Sequence, residues 1–497
     1  MSVKHATIVS VCLLYVSMNV GAQAQIPSPL PPPAPAPAKT PVLPPALAQV
    51  FGRAQVPLDS VSVIVKEAGS ADTFIAHNID KAMNPASVIK LVTTYAGLEL
   101  LGPAFTWKTE VLVTGDIRAG TLHGDLVLKG AGDPKFTVER FWLLLRQLRE
   151  RGLSNIKGDL LLDRGAFEAN SDDPAKFDGE PLKAYNVGAD PLLLNFKIVR
   201  FHFAPAIDGK SVTISPDLKP AQLDIVNRVK LTGNDNNGMC GEWIDRITLD
   251  VQTISATQLK VSFTGNYPRA CGERSWSISL LDHPRFVGGA FAQMWRDLGG
   301  IWNGAVKLAP TPADARLIAT TESPPLADVI RDINKFSNNV MARQLFLTLS
   351  IEAGKEPASV ARSNAVIKEL LLQKNISAPE LVIENGSGLS RIDRVSAKTL
   401  AQLLDSVWRS NVMPEYVSSL ALYGVDGTFR RRNKNDGIVG QAHLKSGTLN
   451  DVRALAGYVL DTSGRHWIVV LIVNHPNAGA TRTAQDALLA WVHAGAR

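Results

Sequence analysis

The sequence predicts a mixed α/β (α+β) protein in which a large β-rich region is inserted into one helix-and-sheet domain. Apolar residues run with helical character over residues 84–101, and helical periodicity returns after residue 285. Between these stretches, short alternating segments are separated by Gly and Asp turns, which is typical of strands and hairpins. We therefore expect a discontinuous α/β domain over 46–101 and 285–497, with one or two β-rich subdomains over 102–284.

The composition is that of a globular protein and excludes several other classes. The chain has 497 residues, 45% of them hydrophobic, and a mean hydropathy of +0.04, which suits two or three domains with sizeable cores. Its net charge of +6 and sequence pI near 9.1 are compatible with an anionic wall and with at most peripheral membrane contact. Because the positive charges form no basic stripe, the sequence predicts no nucleic-acid binding.

The first 45 residues predict an export signal followed by a spacer. An apolar run over residues 6–16 follows basic residues and leads to an Ala-Gln-Ala cleavage site that ends at Ala24, so residues 1–24 are predicted to be a signal peptide. A retained anchor is the alternative, but the apolar run is too short to span a bilayer. Residues 25–45 are rich in Pro and Ala and predict an extended linker; a ligand for a proline-binding module is the other interpretation.

Two cysteines, Cys240 and Cys271, remain after the predicted signal peptide. Exported proteins with two cysteines usually pair them, so we expect a disulfide between these two. Two buried free thiols are the alternative. The β-rich region offers no cluster of metal ligands and no phosphate-binding loop, so no metal site is predicted there.

The first candidate for chemistry is a Ser-x-x-Lys sequence, Ser87 to Lys90, at the start of a predicted helix. Asn84 suits the N-cap and Pro85 the first helical position, so Ser87 would lie in the first turn, near unpaired N–H groups and the positive end of the helix dipole. Lys90 follows at i+3 and reaches the same face, where an amine held neutral by burial activates a serine. A buried helix that carries these residues by chance is the simpler interpretation, and a second match that begins at Ser154 is taken as chance.

A Ser-x-Asn sequence, Ser337 to Asn339, lies between two predicted helices over residues 326–333 and 340–349. In this position a hydroxyl and an amide can turn into the same space, where the hydroxyl relays protons and the amide holds a peptide group. An ordinary Ser/Asn-rich turn between helices is the alternative.

The third candidate, Lys445-Ser446-Gly447-Thr448, leads into two long predicted strands near the C-terminus. Gly447 lets a substrate approach the backbone closely, Lys445 supplies positive charge, and the hydroxyls of Ser446 and Thr448 can bind a carboxylate.

Taken in order, these three motifs resemble those of penicillin-binding proteins and serine β-lactamases. The interval of 250 positions between Ser87 and Ser337 is longer than a compact β-lactamase would leave. It resembles the β-rich insertion of class C low-molecular-mass penicillin-binding proteins, the D-alanyl-D-alanine carboxypeptidase/endopeptidase family. The resemblance covers the chain from about Leu47 onward and implies a serine β-lactamase/transpeptidase-like catalytic domain. Ser446 stands where many relatives have Thr, and the Pro-rich tract lies outside the family pattern.

The resemblance implies a role for each motif residue. Ser87 is the nucleophile that becomes acylated, Lys90 its general base, and Ser337 the group that relays the proton to the leaving amine. The other motif residues bind substrate, namely Asn339, Lys445, Ser446, Gly447 and Thr448. The backbone N–H groups of Ser87 and Thr448 form the oxyanion hole.

The implied substrate is the stem peptide of peptidoglycan, from which the terminal D-Ala is removed, with cleavage of cross-links as a further activity. β-Lactam antibiotics are expected as covalent inhibitors, and no metal or organic cofactor is required. The predicted signal peptide places this activity in the periplasm. Whether the protein forms a homodimer is left open by the sequence.

Three other interpretations stand beside this one. An exported serine β-lactamase would use the same nucleophile and release the acyl group faster. A non-catalytic cell-wall-binding protein would retain the motifs as relics. A separate acid/base group formed by Asp426, Arg430 and His443 is the third, although a lone Asp or His near a turn is usually solvated or structural.

Overall fold

The computed structural model describes residues 43–168, 173–233, 239–255, 257–354, 357–432 and 437–495. The predicted signal peptide, and the predicted linker as far as residue 42, lie outside the described residues. No helix in the described part of the chain is both long and apolar enough to cross a membrane.

Helices and strands are interspersed along the chain, which confirms the predicted α/β fold class. The helices are α1 (Pro45–Arg53), α2 (Lys90–Leu101), α3 (Val138–Glu150), α4 (His283–Asp297), α5 (Leu326–Lys335), α6 (Asn339–Glu352), α7 (Val360–Gln373), α8 (Ala397–Trp408), α9 (Met413–Ser419) and α10 (Arg482–His493). The strands are β1 (Val61–Glu67), β2 (Thr73–His77), β3 (Lys108–Val113), β4 (Asp116–Arg118), β5 (Thr121–His123), β6 (Leu126–Gly130), β7 (Asn155–Ile156), β8 (Leu160–Asp163), β9 (Val199–Pro205), β10 (Val212–Pro216), β11 (Leu223–Thr232), β12 (Ile247–Ser255), β13 (Gln258–Pro268), β14 (Arg274–Ile278), β15 (Ile301–Trp302), β16 (Val306–Leu308), β17 (Arg316–Glu322), β18 (Ala421–Leu422), β19 (Ala442–Leu449), β20 (Val452–Leu460) and β21 (His466–Asn474).

One six-stranded antiparallel sheet joins the beginning and the end of the described chain. Its strand order is β18-β19-β20-β21-β1-β2, and β1 pairs with β21 in a register that sets Val61 opposite Val473. Side chains of a strand point alternately to the two faces of a sheet, so Val63 and Ile64 enter different hydrophobic cores. Helices α1 and α10 cover one face, and α2, α5, α6 and α8 pack on the other.

The inserted region has a core of its own among four smaller sheets. Their strand orders are β16-β8-β6-β3-β17, β15-β7-β5-β4, β10-β9-β14 and β11-β13-β12. Helix α3, which the strand-based prediction overlooked, packs Phe141 and Leu145 into this core, although its apolar residues recur at helical spacing. Cys240 and Cys271 are joined by a disulfide beside the same core.

The inserted core also reaches past residue 284. Helix α4 packs Phe286 and Trp295 into it, and β17 pairs with β3. By contrast, Trp107 and Leu326 belong to the core beside the six-stranded sheet. We therefore propose that the insertion extends from about residue 107 to about residue 323, instead of ending where the helical periodicity returns.

The start of α2 differs from the helix that the sequence predicts. A short 3₁₀ turn over Ala86–Ile89 comes first, and the α-helix begins at Lys90. Ala86 has a φ of +46°, which an α-helix does not allow, so the helix cannot start at Pro85. Asn84 does not cap the helix itself; its Oδ1 accepts a hydrogen bond of 2.8 Å from the Ala86 N–H and so stabilises the turn.

Candidate active site

The 3₁₀ turn before α2 places a serine beside a buried lysine. Ser87 Oγ and Lys90 Nζ lie 3.0 Å apart, because side chains three residues apart in such a turn share one face. A loop at Gly388 supports the turn from outside. A Cβ on Gly388 would lie 2.0 Å from Ala86 O, so this close approach requires glycine.

The surroundings of Lys90 favour its neutral form. Its ammonium group is fully buried and donates hydrogen bonds to Asn339 Oδ1, at 2.7 Å, and to Ser387 O. Burial, followed by the positive charges of Lys445 and Arg343, holds the pKa of Lys90 well below its usual value. A neutral amine beside a hydroxyl can accept the proton that a serine nucleophile must lose.

A second serine and lysine face the same cleft. Ser337 lies in the turn between α5 and α6 with a φ of +56°, a conformation that costs a non-glycine residue about 1–3 kcal/mol and that concentrates at functional sites. Asn338 helps to fix the turn, because its Oδ1 caps α6. Lys445 Nζ donates to Ser337 Oγ at 2.9 Å and to Ser446 O at 2.8 Å, and burial lowers the pKa of Lys445 to about 7.

Strand β19 presents an open edge beside the first serine. Strand β18 pairs only with His443 and Leu444, so among the described residues no strand pairs with this side of residues 445–449. Gly447 permits the strand to lie against the 3₁₀ turn, since a Cβ at that position would be 2.4 Å from Pro85 O. An extended peptide can add to such an edge through backbone hydrogen bonds.

Hydroxyl groups accompany the positive charge along this edge. Ser446 Oγ lies 2.8 Å from Thr428 Oγ1, and Thr448 is exposed on the same strand. Together with the Lys445 ammonium, these donors suit a carboxylate. Thr428 is absent from the predicted site because it lies on a loop that only the fold brings to Ser446.

The insertion also contributes to the site. Asn339 Nδ2 donates to Tyr185 O at 3.3 Å, and Arg343 Nη1 donates to Val187 O at 2.6 Å. Tyr185 is 42% exposed, and its hydroxyl donates to Asp178 at 2.8 Å. The segment over residues 184–187 therefore forms part of the cleft wall, although the sequence offered no motif there.

An ion pair supports the loop that carries Thr428. Lys335 Nζ lies 2.6 Å from Asp426 Oδ2 and donates to Leu420 O at 2.9 Å. A Cβ on Gly427 would lie 2.5 Å from Lys335 O, so the loop packs directly against the residue that precedes the Ser337 turn. This pair links the end of α5, which precedes the Ser337 motif, to the loop that precedes the Lys445 motif in β19.

Other candidates from the sequence have structural contacts of their own. Asp426 is engaged by Lys335, while burial and the charge of Lys335 lower the pKa of His443. Ser154, of the second Ser-x-x-Lys match, donates to Gly120 O at 2.9 Å inside the insertion. Across the described ranges, no three His, Cys, Asp or Glu side chains are grouped so as to hold a metal ion.

The cleft therefore combines two Ser-Lys pairs with an edge that can bind a carboxylate. The first pair can form a covalent acyl intermediate, and the second can move a proton nearby. This combination suits acyl transfer from a peptide that ends in a free carboxylate.

Known proteins resemble the chain over most of its length. The sequence model of the D-Ala-D-Ala carboxypeptidase 3 (S13) family matches residues 45–494. The D-alanyl-D-alanine carboxypeptidase DacB of Haemophilus influenzae is 26% identical over 427 residues, which cover 84% of this chain and 86% of that protein. The D-alanyl-D-alanine carboxypeptidase of Actinomadura sp. is 28% identical over 442 residues, which cover 86% of this chain and 80% of that protein.

The same fold occurs in a solved structure. The crystal structure of penicillin binding protein 4 (dacB) from Haemophilus influenzae superposes with a TM-score of 0.70 at 24% sequence identity. The match covers 89% of this chain and 99% of that one.

Proposed function

Since the chain belongs to the D-Ala-D-Ala carboxypeptidase 3 (S13) family, we propose that it hydrolyses the terminal D-Ala-D-Ala bond of peptidoglycan stem peptides through an acyl-enzyme on Ser87. It is a serine-type D-Ala-D-Ala carboxypeptidase. The observation that carries the assignment of the nucleophile is the 3.0 Å approach of Ser87 Oγ to the buried Lys90 amine, whose pKa is lowered.

In the first step, Ser87 transfers its proton to the neutral Lys90 amine while Oγ attacks the carbonyl carbon of the D-Ala-D-Ala bond. The oxyanion is stabilised by the backbone N–H groups of Ser87 and Thr448, and each such donor is typically worth roughly 2.7–4 kcal/mol. Gly447 keeps this space open, because a side chain there would meet the turn that carries Ser87.

In the second step, the leaving amine takes a proton and departs as D-Ala. Ser337 is the relay, since its hydroxyl accepts a hydrogen bond from Lys445 and faces the same cleft. The proton is the one that Lys90 took from Ser87, so its transfer through Ser337 returns Lys90 to the neutral form, while Lys445 holds the Ser337 hydroxyl in place. The neutral Lys90 amine then accepts a proton from the water that hydrolyses the acyl-enzyme and passes it to Ser87 Oγ as the acyl group leaves.

Substrate recognition follows from the charges and the open edge. Lys445 and the hydroxyls of Ser446 and Thr448 bind the terminal carboxylate, with Thr428 holding Ser446 in place. Asn339 orients the peptide group of the acyl side. A neighbouring cavity of about 350 Å³, whose lining includes Arg343 and Phe346, is large enough to take a side chain of the stem peptide.

Penicillin is expected to occupy this site as an analogue of the D-Ala-D-Ala end and to acylate Ser87. Because the edge of β19 can accept an extended chain, cleavage of peptide cross-links is a second expected activity. The proposal includes a periplasmic location and at most peripheral membrane contact, in line with the predicted signal peptide and the scattered positive charge.

Intact-mass measurement after incubation with benzylpenicillin tests this proposal. The wild type and Ser154→Ala should each carry one adduct that is released slowly, and Ser87→Ala should carry none. Ser154 is the matched control, since it belongs to the second Ser-x-x-Lys match inside the insertion. Rapid loss of the drug would favour a β-lactamase instead, and a folded wild type without an adduct would favour a wall-binding protein.

A further inference from the structure

A cavity of about 680 Å³ lies beside the N-terminus of α4 in the inserted region. The side chains that line it include Arg164, Lys197, Ser279, His283 and Arg285. The volume is within the range of sites that bind small molecules. The motif residues of the active site do not line it, so it is a separate site.

Arg285 presents an unpaired guanidinium edge. Its Nε and Nη2 atoms are buried and have no hydrogen-bond partner, and its Nη1 atom lies 4.0 Å from Asp282 Oδ2. A guanidinium keeps its charge in proteins, so two buried donors without an acceptor are costly. An edge with two parallel N–H donors is the geometry that binds a carboxylate or a phosphate.

Two more buried polar groups at the cavity lack partners. Ser279 is 3% exposed and its Oγ makes no hydrogen bond. His283 Nδ1 is also buried without a hydrogen-bond partner, and burial lowers the pKa of this imidazole to about 4. Buried polar groups are normally satisfied, so an unsatisfied set at one cavity indicates a bound molecule or ordered water.

Lys197 reaches the cavity from a strained turn. Asn195, Phe196 and Lys197 have φ values of +45°, +55° and +53°, three successive residues in the left-handed region. Such residues are disfavoured singly and more so in a row, and strain of this kind concentrates at binding sites. Lys197 is 8% exposed and makes no ion pair among the described residues, and burial lowers the pKa of its amine.

The acidic groups nearby are already engaged. Asp282 Oδ1 accepts a hydrogen bond of 2.8 Å from the Arg285 N–H and caps α4. Asp190 accepts from Arg164 Nε at 2.8 Å and from the Leu192 N–H at 2.9 Å. Arg164, Lys197 and Arg285 therefore outnumber the two carboxylates by one positive charge.

We propose that this cavity is a binding site for an oxyanion, a carboxylate or a phosphate group. Lys197 and the Arg285 guanidinium supply the positive charge that holds the anion. Arg285 Nε and Nη2 and the Ser279 hydroxyl are covered and have no partner within the protein, so turning toward the anion would satisfy them.

Two sources can supply this chemistry. Pro174 and Ala189 line both this cavity and the cavity of about 350 Å³ beside the active site, so a wall peptide lying in one can extend a second carboxylate into the other. Free phosphate is the other source. In either case the anion lies against the segment that ends at Asp190, whose backbone N–H and C=O both bond to the Gln344 amide of α6.

Phosphate titration of the full chain tests the proposal. Binding of sodium phosphate is measured by calorimetry and by thermal melting, against sodium chloride at matched ionic strength. Arg285→Gln is compared with the wild type and with Arg296→Gln, an exposed arginine of the same helix. The wild type and Arg296→Gln should bind phosphate saturably. Arg285→Gln should bind phosphate at least about tenfold more weakly, which corresponds to a loss of about 1.4 kcal/mol in binding free energy.

The outcomes separate the proposal from its alternatives. Absence of saturable binding to the wild type, or equal binding to a folded Arg285→Gln protein, would mean that the cavity holds water only and would overturn the proposal. Competition with phosphate by a soluble disaccharide-tripeptide on the unreactive Ser87→Ala protein would support it and identify a substrate carboxylate as the source. Phosphate binding without competition would support it with free phosphate as the source. None of these measurements depends on acylation of Ser87.

Discussion

The two Ser-Lys pairs of the cleft are alike in distance and unlike in surroundings. Ser87 lies 3.0 Å from Lys90, and Ser337 lies 2.9 Å from Lys445. Both lysines are fully buried, and the pKa of each is lowered. Distance alone therefore does not identify the nucleophile.

The difference lies in what surrounds each amine. Burial is the cause that lowers the pKa of Lys445, to about 7, so this amine is near the balance point between its charged and neutral forms. For Lys90, the neighbouring charges of Lys445 and Arg343 act in addition to burial, which favours the neutral form. The first pair is thus suited to remove a proton from Ser87, and the second to hold a carboxylate and return a proton.

The largest effect is expected from Lys90→Met, which removes the base from the first pair. Acylation of Ser87 should slow by about 10⁴-fold, whereas Ser337→Ala should slow turnover by about 10²-fold and still allow the adduct. Stopped-flow acylation by a chromogenic penicillin measures both rates. Lys157→Met, at an exposed lysine of the second Ser-x-x-Lys match, is the control and should match the wild type.

Two results would contradict the roles assigned to the two Ser-Lys pairs. A Lys90→Met protein that folds and acylates at the rate of the wild type would exclude Lys90 as the base. If Ser337→Ala abolished the adduct while Ser87→Ala retained it, the second pair would carry the nucleophile.

The pH dependence should separate the two lysines by the sign of their effects. Lys445 is cationic below its pKa of about 7, so binding of the terminal carboxylate weakens as the pH rises through that value in the free enzyme. Lys90 must be neutral, so kcat/KM falls as the pH is lowered through its depressed pKa. The profile of kcat/KM against pH should therefore be bell-shaped, with a basic limb of about tenfold per pH unit.

Lys445→Arg assigns the basic limb. A guanidinium stays charged throughout this range, so the limb near neutrality should disappear while the acid limb remains. A basic limb that persists in Lys445→Arg would show that another group controls carboxylate binding.

The sequence could predict the parts of the site that are local in the chain, but not the parts that tertiary packing brings together. Each motif is local, so Ser87 with Lys90, and Ser446 with Gly447, could be recognised from spacing and turn chemistry. Thr428, Ser387 and the Tyr185 segment come to the cleft through tertiary packing alone, and local periodicity does not encode that. The Asp426-Gly427-Thr428 sequence ahead of β19 was a usable signal, because a glycine in a loop often marks close backbone approach.

For the fold as well, local elements could be predicted from the sequence, but tertiary packing could not. The sequence predicted the two long strands near the C-terminus, β20 and β21, and apolar periodicity predicted α5 and α6. The short turn over Ala86–Ile89 was mistaken for helix, because Asn84 and Pro85 suit a helix start while the positive φ of Ala86 has no signature in the sequence. Helical periodicity does not reveal which core a helix joins. Because α4 packs in the core of the inserted region, we propose a later domain boundary than the one at residue 285.

The smallest effect is expected where the second pair depends on its supporting loop. Asp426→Asn removes the charge that engages Lys335, so the loop that positions Thr428 against Ser446 should loosen. Because the Asp426 side chain is 37% exposed, solvent screens the pair, and stability should fall by only about 1 kcal/mol. KM for a D-Ala-D-Ala peptide should rise about tenfold with kcat nearly unchanged, since the loop acts on carboxylate binding and not on Ser87.

Asp426→Glu, which keeps the charge, should recover most of the lost KM. Asp80→Asn, which breaks the exposed Lys398–Asp80 pair, is the matched control and should leave both kinetic constants unchanged. A general loss of packing would lower the apparent kcat together with the melting temperature and would not be rescued by Glu. If Asp426→Asn lowered kcat as strongly as it raised KM, the loop would act on the Ser87–Lys90 pair as well. The assignment of separate roles to the two pairs would then be wrong.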